Sequence, residues 1–218
     1  MALFRTVSWH EPPMLVEGET VLLRLPQMAD FAAWSALREQ SRDFLTPWEP
    51  TWPAYDLTRG SFRRRMRRYA RDVREDAAYP FLVIRRADRV LLGGVSLSNI
   101  RRGVTQTASL GYWMGAPYAG KGYMGAAVRT LLPFAHGTLG LRRIEAACLP
   151  DNVPSMRLLE GSGFRREGYG RQYLCINGAW QDHVLYARLA SDPIARWEGF
   201  ETASLVPFKS ADEMSGNV

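Results

Sequence analysis

At 218 residues, with 46% hydrophobic and 23% charged side chains, the chain fits one globular domain and is too apolar for a disordered one. No apolar run is long enough to span a membrane, Met1–His10 lacks the apolar stretch of a secretory signal, and two cysteines, Cys148 and Cys175, make neither a disulfide framework nor a zinc set. The expectation is a cytoplasmic protein with reduced core thiols and no metal, whose net charge of +6, arginine except for Lys121 and Lys209, suits anionic partners.

Residues 1–18 read as a loose N-terminal arm, 19–190 as one domain, and 191–218 as a polar tail with Trp197 and Phe200 as candidate anchors. Glu19–Leu25 alternates as a strand and Pro26 stops it. Asp30 is placed to cap a helix carrying Phe31, Trp34 and Leu37, which runs to Gln40. From Phe44 to Pro53 three prolines forbid a regular helix in a loop rich in aromatics. Ser61–Arg74 is an amphipathic helix: Phe62, Met66, Tyr69, Ala70 and Val73 form an apolar stripe, and seven arginines stand against Asp72. Such a face is either solvated or a contact for an anionic partner such as ribosomal RNA.

The period then changes to strands at Tyr79–Arg85, Leu91–Ile100 (with Gly93-Gly94 as a bulge) and Thr105–Met114, spaced as an antiparallel meander. A helix from Gly122 to His136 follows, kinked by Pro133, with His136 a cationic cap at its end. Arg142–Leu149 is a strand with Ile144, Ala146 and Cys148 on one face, and Asn152 starts a helix that ends at Gly161 or Gly163. Arg171–Ile176 and Ala179–Arg188 flank Asn177-Gly178, a type I′ hairpin signal. The order gives an α+β fold on a mostly antiparallel mixed sheet flanked by helices and closing on a C-terminal hairpin.

The stretch Gly111–Val128 organises the rest. It reads as a strand, a glycine-rich turn and the start of a helix, where free backbone N–H groups meet the positive end of a helix dipole and suit phosphate. It is neither a Walker loop, because Gly122 follows Lys121, nor a dinucleotide fingerprint.

This order, the glycine stretch Gly120-Lys121-Gly122-Tyr123-Met124-Gly125, and Asn152-x-x-Ser155 followed by Gly163-Phe164 resemble the GNAT superfamily of N-acetyltransferases over Thr20–Leu189. Pro47-Trp48-Glu49-Pro50 and Asn177–His183 sharpen the resemblance to Rim-type (RimJ-like) ribosomal-protein alanine N-acetyltransferases. The resemblance implies a GNAT-like fold. It implies acetyl-CoA as cosubstrate, its pyrophosphate on Gly120, Lys121, Gly122, Tyr123, Met124 and Gly125, its amides near Asn152, and its carbonyl near a backbone donor of Trp113 or Met114 freed by a bulge. It implies a protein N-terminus as acceptor, beside Trp48, Glu49 and Trp52. The chain departs from the pattern at Ala119, where Arg or Gln is usual, at Met124, where Gly or Ala is usual, and at Leu159, where many members carry a tyrosine acid. Ser155 then becomes the candidate acid for the leaving thiolate.

An α-amine with pKa of about 7.7–8.0 needs roughly 1 kcal/mol for deprotonation near neutrality, so a carboxylate serves as base. Glu49 is the first candidate and Glu145 the second, the latter with an ion pair as its structural alternative. Asp182 and His183 are adjacent on a strand, face opposite ways and do not make a dyad. Three classes stay open: an α-amine acetyltransferase, an acetyltransferase for an aminoglycoside, polyamine or amino acid, and a non-catalytic RNA-binding or ribosome-binding module.

Overall fold

The computed structural model describes residues 14–193; readings that fall on residues 1–13 and 194–218, including Trp197 and Phe200, lie outside them. Eight strands form one sheet: β1 (Leu15–Glu17), β2 (Val21–Arg24), β3 (Tyr79–Arg85), β4 (Leu91–Arg101), β5 (Thr107–Met114), β6 (Arg143–Cys148), β7 (Arg165–Ile176) and β8 (Ala179–Leu189). Their spatial order is β1-β2-β3-β4-β5-β6-β8-β7, and every neighbouring pair is antiparallel except β5 with β6. The expected α+β class, meander and closing hairpin are all present. The end of the expected arm differs, since Leu15–Glu17 pairs with β2 as an edge strand.

Helices cover both faces: α1 (Phe31–Gln40), the short α2 (Arg42–Leu45), α3 (Arg59–Arg74), α4 (Tyr123–Pro133) and α5 (Val153–Gly161). The period-2 alternation of strands divides the core. Val21, Leu23, Phe81 and Val83 pack with Met124, Ala127, Val128 and Leu131 of α4 and Leu159 of α5. The intervening Leu22, Leu82 and Ile84 pack with Trp34 and Leu37 of α1 and Phe62 of α3. A strand buried on both sides reads as a continuous apolar run, which is how β3 reads.

Four local details differ from expectation. The bulge in β4 is Leu92, because the register steps from Val83↔Gly93 to Ile84↔Leu91. Gly93 and Gly94 are instead where β4 meets Trp113: a Cβ would strike its carbonyl at the first and its indole at the second. Asp30 does not cap α1; its carboxylate accepts from Gln27 N (2.7 Å) and Arg24 Nη1 (2.8 Å) and so fixes the turn before the helix. After Pro133, which has no N–H to donate, the chain widens into a π turn at Phe134–Thr138, with Leu139 N donating to Phe134 O at 3.0 Å. His136 in that turn is no cationic cap. Burial lowers its pKa, against the opposing effect of its Nδ1, which donates to Leu141 O at 2.7 Å.

The hairpin turn is as expected, with Asn177 and Gly178 at φ 46° and 81°. Of the two free cysteines Cys148 is buried, but Cys175 is exposed on β7 rather than in the core.

Candidate active site

The parallel pairing of β5 with β6 holds only from Thr107↔Arg143 to Ser109↔Glu145, and beyond it the strands part. β6 continues along β8 to Cys148↔Val184, while β5 continues along β4 to Met114↔Gly93. Gly115 N donates to Leu92 O at 2.8 Å. Alternation along an antiparallel pair then turns the backbone groups of Trp113 toward Gly94 and those of Tyr112 and Met114 toward the gap. The register is regular at this end of β5, so the free donors come from strand separation and not from the expected bulge. The gap-facing donor belongs to Met114, not Trp113.

The gap opens onto the glycine turn. Gly115 packs against Leu37 where a Cβ would collide, and Ala116 N donates to Ser41 Oγ at 2.9 Å, so α1 anchors the start of the turn. Gly120 and Gly122 have φ of 71° and 79°, a region costly for residues with a Cβ, and no atom lies within 4 Å of where a Cβ would stand. Gly122 caps α4, whose first-turn N–H groups have no acceptor within the helix. This open, left-handed cradle at a helix N-terminus is a fit for a pyrophosphate. The Met124 side chain is in the core, 6% exposed, which leaves its backbone alone to face a ligand. Lys121 is exposed, and Tyr123 is half-buried with its ring 5.9 Å from the Arg85 guanidinium.

The first turn of α5 forms the other wall. Asn152 Oδ1 accepts from Ser155 N at 3.1 Å, so Asn152 is an N-cap whose amide N–H groups are still to spare. Ser155 Oγ lies 2.6 Å from Tyr112 Oη, which spans the gap from β5. Burial pushes the Tyr112 phenol up and does the same to the Cys148 thiol, so both stay protonated near neutral pH. Leu159 is in the core. Sequence reasoning gave Tyr112 no role; its period-2 place, facing the gap near the end of β5, was the available signal.

On the opposite face of β5 lies a pocket of about 250 Å³, bordered by Gly111, Trp113, Arg38, Glu49, Arg65 and Tyr69 among others. Glu49 is held on three sides. Arg38 Nη1 donates to Oε1 at 2.8 Å, Arg38 Nη2 to Oε2 at 2.7 Å, and Trp52 Nε1 to Oε2 at 2.8 Å. Arg38 is buried, stacked 3.9 Å from the Trp52 ring and 4.9 Å from that of Trp113. Asn177 N donates to Glu49 O at 2.9 Å, tying the hairpin turn to this loop. Trp48 is half-buried in the neighbouring turn and does not border the pocket.

Glu145 sits elsewhere, at the closed end of the gap. Arg101 Nη2 donates to it at 3.0 Å and Arg143 Nε at 2.9 Å, which is the ion-pair alternative. Asp182 binds Tyr169 and Gln172, while the buried His183 faces Tyr173, so no dyad forms.

The family profile described as an acetyltransferase (GNAT) domain matches residues 20–165. A probable N-acetyltransferase of Bacillus subtilis, YjcK, is 36% identical over 82% of this chain and 98% of its own. The ribosomal protein uS5-alanine N-acetyltransferase of Escherichia coli is 29% identical over 83% and 93%. Among solved structures, the ribosomal-protein-S5-alanine acetyltransferase of Vibrio fischeri superposes with a TM-score of 0.76 at 31% identity, over 82% of this chain and 98% of that one. Mycobacterium smegmatis RimJ, solved in complex with CoA-disulfide, superposes at 0.75 with 32% identity, over 83% and 86%.

Proposed function

The chain belongs to the GNAT family of N-acetyltransferases, and from that premise we propose that it moves acetyl from acetyl-CoA to the N-terminal α-amine of a protein, of the ribosomal-protein alanine kind. One observation carries the reading: strand β5 at Gly111–Trp113 lies between the gap on one side and the pocket on the other. A thioester along the gap and an amine in the pocket then meet at one strand, and holding both in place is the largest available source of rate.

Acetyl-CoA supplies the activated acyl group. The N–H groups from Lys121 to Gly125 take its pyrophosphate, the spare amide N–H groups of Asn152 bind its pantetheine, and the Met114 N–H polarises the carbonyl. Ser155 Oγ gives its proton to the departing thiolate and takes one from the Tyr112 hydroxyl, 2.6 Å away, which solvent water reprotonates as the proton of the acceptor amine leaves to solvent. Of four lone-pair sites on Glu49, Arg38 and Trp52 take three, and one on Oε1 remains to orient the incoming amine. Water then removes the amine's proton, since that step costs only about 1 kcal/mol. Glu49 is therefore assigned to orientation, and Glu145 has no part in the chemistry.

The pocket's charge favours a protein terminus over a polyamine or aminoglycoside. Glu49, the one carboxylate among the residues that border it, is paired with Arg38, and Arg65 is paired with Asp56. A polycation would find no unpaired carboxylate there for its further charges, whereas a single amine needs only one acceptor. The test is mass spectrometry of acetyl gain on peptides beginning with Ala or Ser, beside spermidine and an aminoglycoside. Turnover of the small amines with no peptide acetylated would overturn the assignment.

A further inference from the structure

We propose that the outer face of α3 is a docking surface for RNA, which grips the phosphodiester backbone through its arginines. This goes beyond the acetyl-transfer reading and does not depend on it.

The helix holds eight arginines and one aspartate, a net +7, so the rest of a chain that totals +6 nets −1. At 100° per residue, Arg63, Arg64, Arg67, Arg68, Arg71 and Arg74 fall within an arc of about 140° along about 17 Å of axis. The stripe of Phe62, Met66, Tyr69 and Val73 lies roughly opposite, turned to the sheet and the acceptor pocket. Among the described residues no carboxylate pairs with Arg63, Arg64, Arg67 or Arg74, while Arg68 and Arg71 share Asp72 at 4.0 and 3.6 Å. Guanidiniums four residues apart repel one another and weaken the helix, a cost that a polyanion along this face relieves.

The chemistry selects RNA among polyanions. A membrane-surface helix needs bulky apolar groups beside its cations, and here the apolar stripe is turned inward. Planar guanidiniums suit the bidentate recognition of phosphate. A concavity of about 550 Å³ adjoins the face, bordered by Tyr55, Asp56, Ser61, Arg64, Arg65 and Arg68, with Asp56 ion-paired to Arg65 at 2.7 Å. Tyr55 is 60% exposed and its ring lies 5.8 Å from the Arg64 guanidinium. An exposed ring flanked by guanidiniums is a platform on which an unpaired base stacks while its phosphates are held. Since the inner side of α3 walls the acceptor pocket, RNA on the outer side would bring a ribonucleoprotein's protein termini close to that pocket.

The experiment is fluorescence anisotropy of a labelled RNA stem-loop, titrated with the full chain at several salt concentrations. Six phosphate contacts give a slope of log K on log salt of about −4, so affinity falls roughly 300-fold between about 50 and 200 mM salt. Arg63→Gln, Arg64→Gln, Arg67→Gln and Arg71→Gln together should reduce the slope to between about −1 and −2. Their circular dichroism and cooperative melting should match wild type, which shows that the variant is folded. Tyr55→Ala should lower affinity several-fold and leave the slope unchanged. The proposal falls if wild type shows no salt-dependent RNA binding, if the quadruple variant keeps wild-type affinity and slope, or if phosphatidylserine vesicles are bound and RNA is not.

Discussion

Replacing Ser155 by Ala and Tyr112 by Phe, singly and together, tests the proposed proton path across the gap. Ser155→Ala removes the hydroxyl assigned to the leaving thiolate. The loss of a general acid should lower kcat by roughly 10²-fold, about 2.7 kcal/mol of barrier. Tyr112→Phe keeps that hydroxyl and deletes its 2.6 Å partner. A net hydrogen bond is worth about 1 kcal/mol, so kcat should fall roughly fivefold. If the groups act in series, the double variant is no slower than Ser155→Ala, because Tyr112 has nothing left to support. The assay is thiol release at saturating acetyl-CoA and peptide, with melting temperature as the control for folding. A double variant slowed by the product of the two effects, roughly 500-fold, would refute the serial path. A 10²-fold loss in Tyr112→Phe beside a near-normal Ser155→Ala would make the phenol the acid.

Glu49→Gln leaves the buried Arg38 guanidinium opposite a neutral amide, so stability should drop by about 2–3 kcal/mol in urea unfolding; a loss near zero would mean that the pair holds nothing in place. Gly122→Ala forces a Cβ into a left-handed position, a strain of about 1–2 kcal/mol with no clash, and should weaken CoA binding in calorimetry. Gly125→Ala, inside the helix and meeting only the far end of the long Arg129 side chain at 3.1 Å, should instead leave stability unchanged or raise it by up to about 1 kcal/mol. His136 has its pKa lowered by burial, so the unfolded chain binds the proton more readily. Its contribution to stability is complete above the unfolded value of about 6.5 and is lost as pH falls below it. His136→Asn should flatten the wild-type fall in unfolding free energy between about pH 7 and 5, and an unchanged slope would assign that fall to other groups.

What the sequence makes legible is whatever repeats along one element. β3 is apolar without interruption because both its faces are covered, and β6 alternates because one is. Asn177-Gly178 marks the hairpin because left-handed backbone there demands those residues. Contacts between remote residues leave no such trace. Tyr112 and Ser155 are 43 positions apart, and neither periodicity nor spacing joins them. The pairing of Arg38 with Glu49 is equally invisible, which is why Glu49 looked free to act as a base. β1 holds three residues and exists by pairing with β2, while the first half of β7 is exposed, broken by Gly168 and Gly170, and interrupted twice in register. The lowered pKa of His136 follows from its partial burial within a π turn that only the three-dimensional chain supplies.

The same division explains the site. Its cofactor side is made of backbone: two left-handed glycines, a helix start and strand donors uncovered where β5 and β6 separate. Backbone features need particular residues at particular spacings, so they survive the departures at Ala119 and Met124, whose side chains contribute no donor to the cradle. Its proposed acceptor side is made of side chains drawn from α1, α3, β5 and the loop after α2, gathered around a pocket whose one carboxylate is paired with Arg38. A family resemblance therefore carries the acetyl donor with little risk, while the acceptor depends on contacts that each chain sets for itself. In this chain those contacts leave one lone pair on Glu49 Oε1 without a donor, beside a pocket otherwise bordered by aromatic and aliphatic side chains and two ion-paired arginines. On the proposed reading, such a site offers one acceptor to a single amine, as a protein N-terminus brings, and no unpaired carboxylate to the further charges of a polyamine.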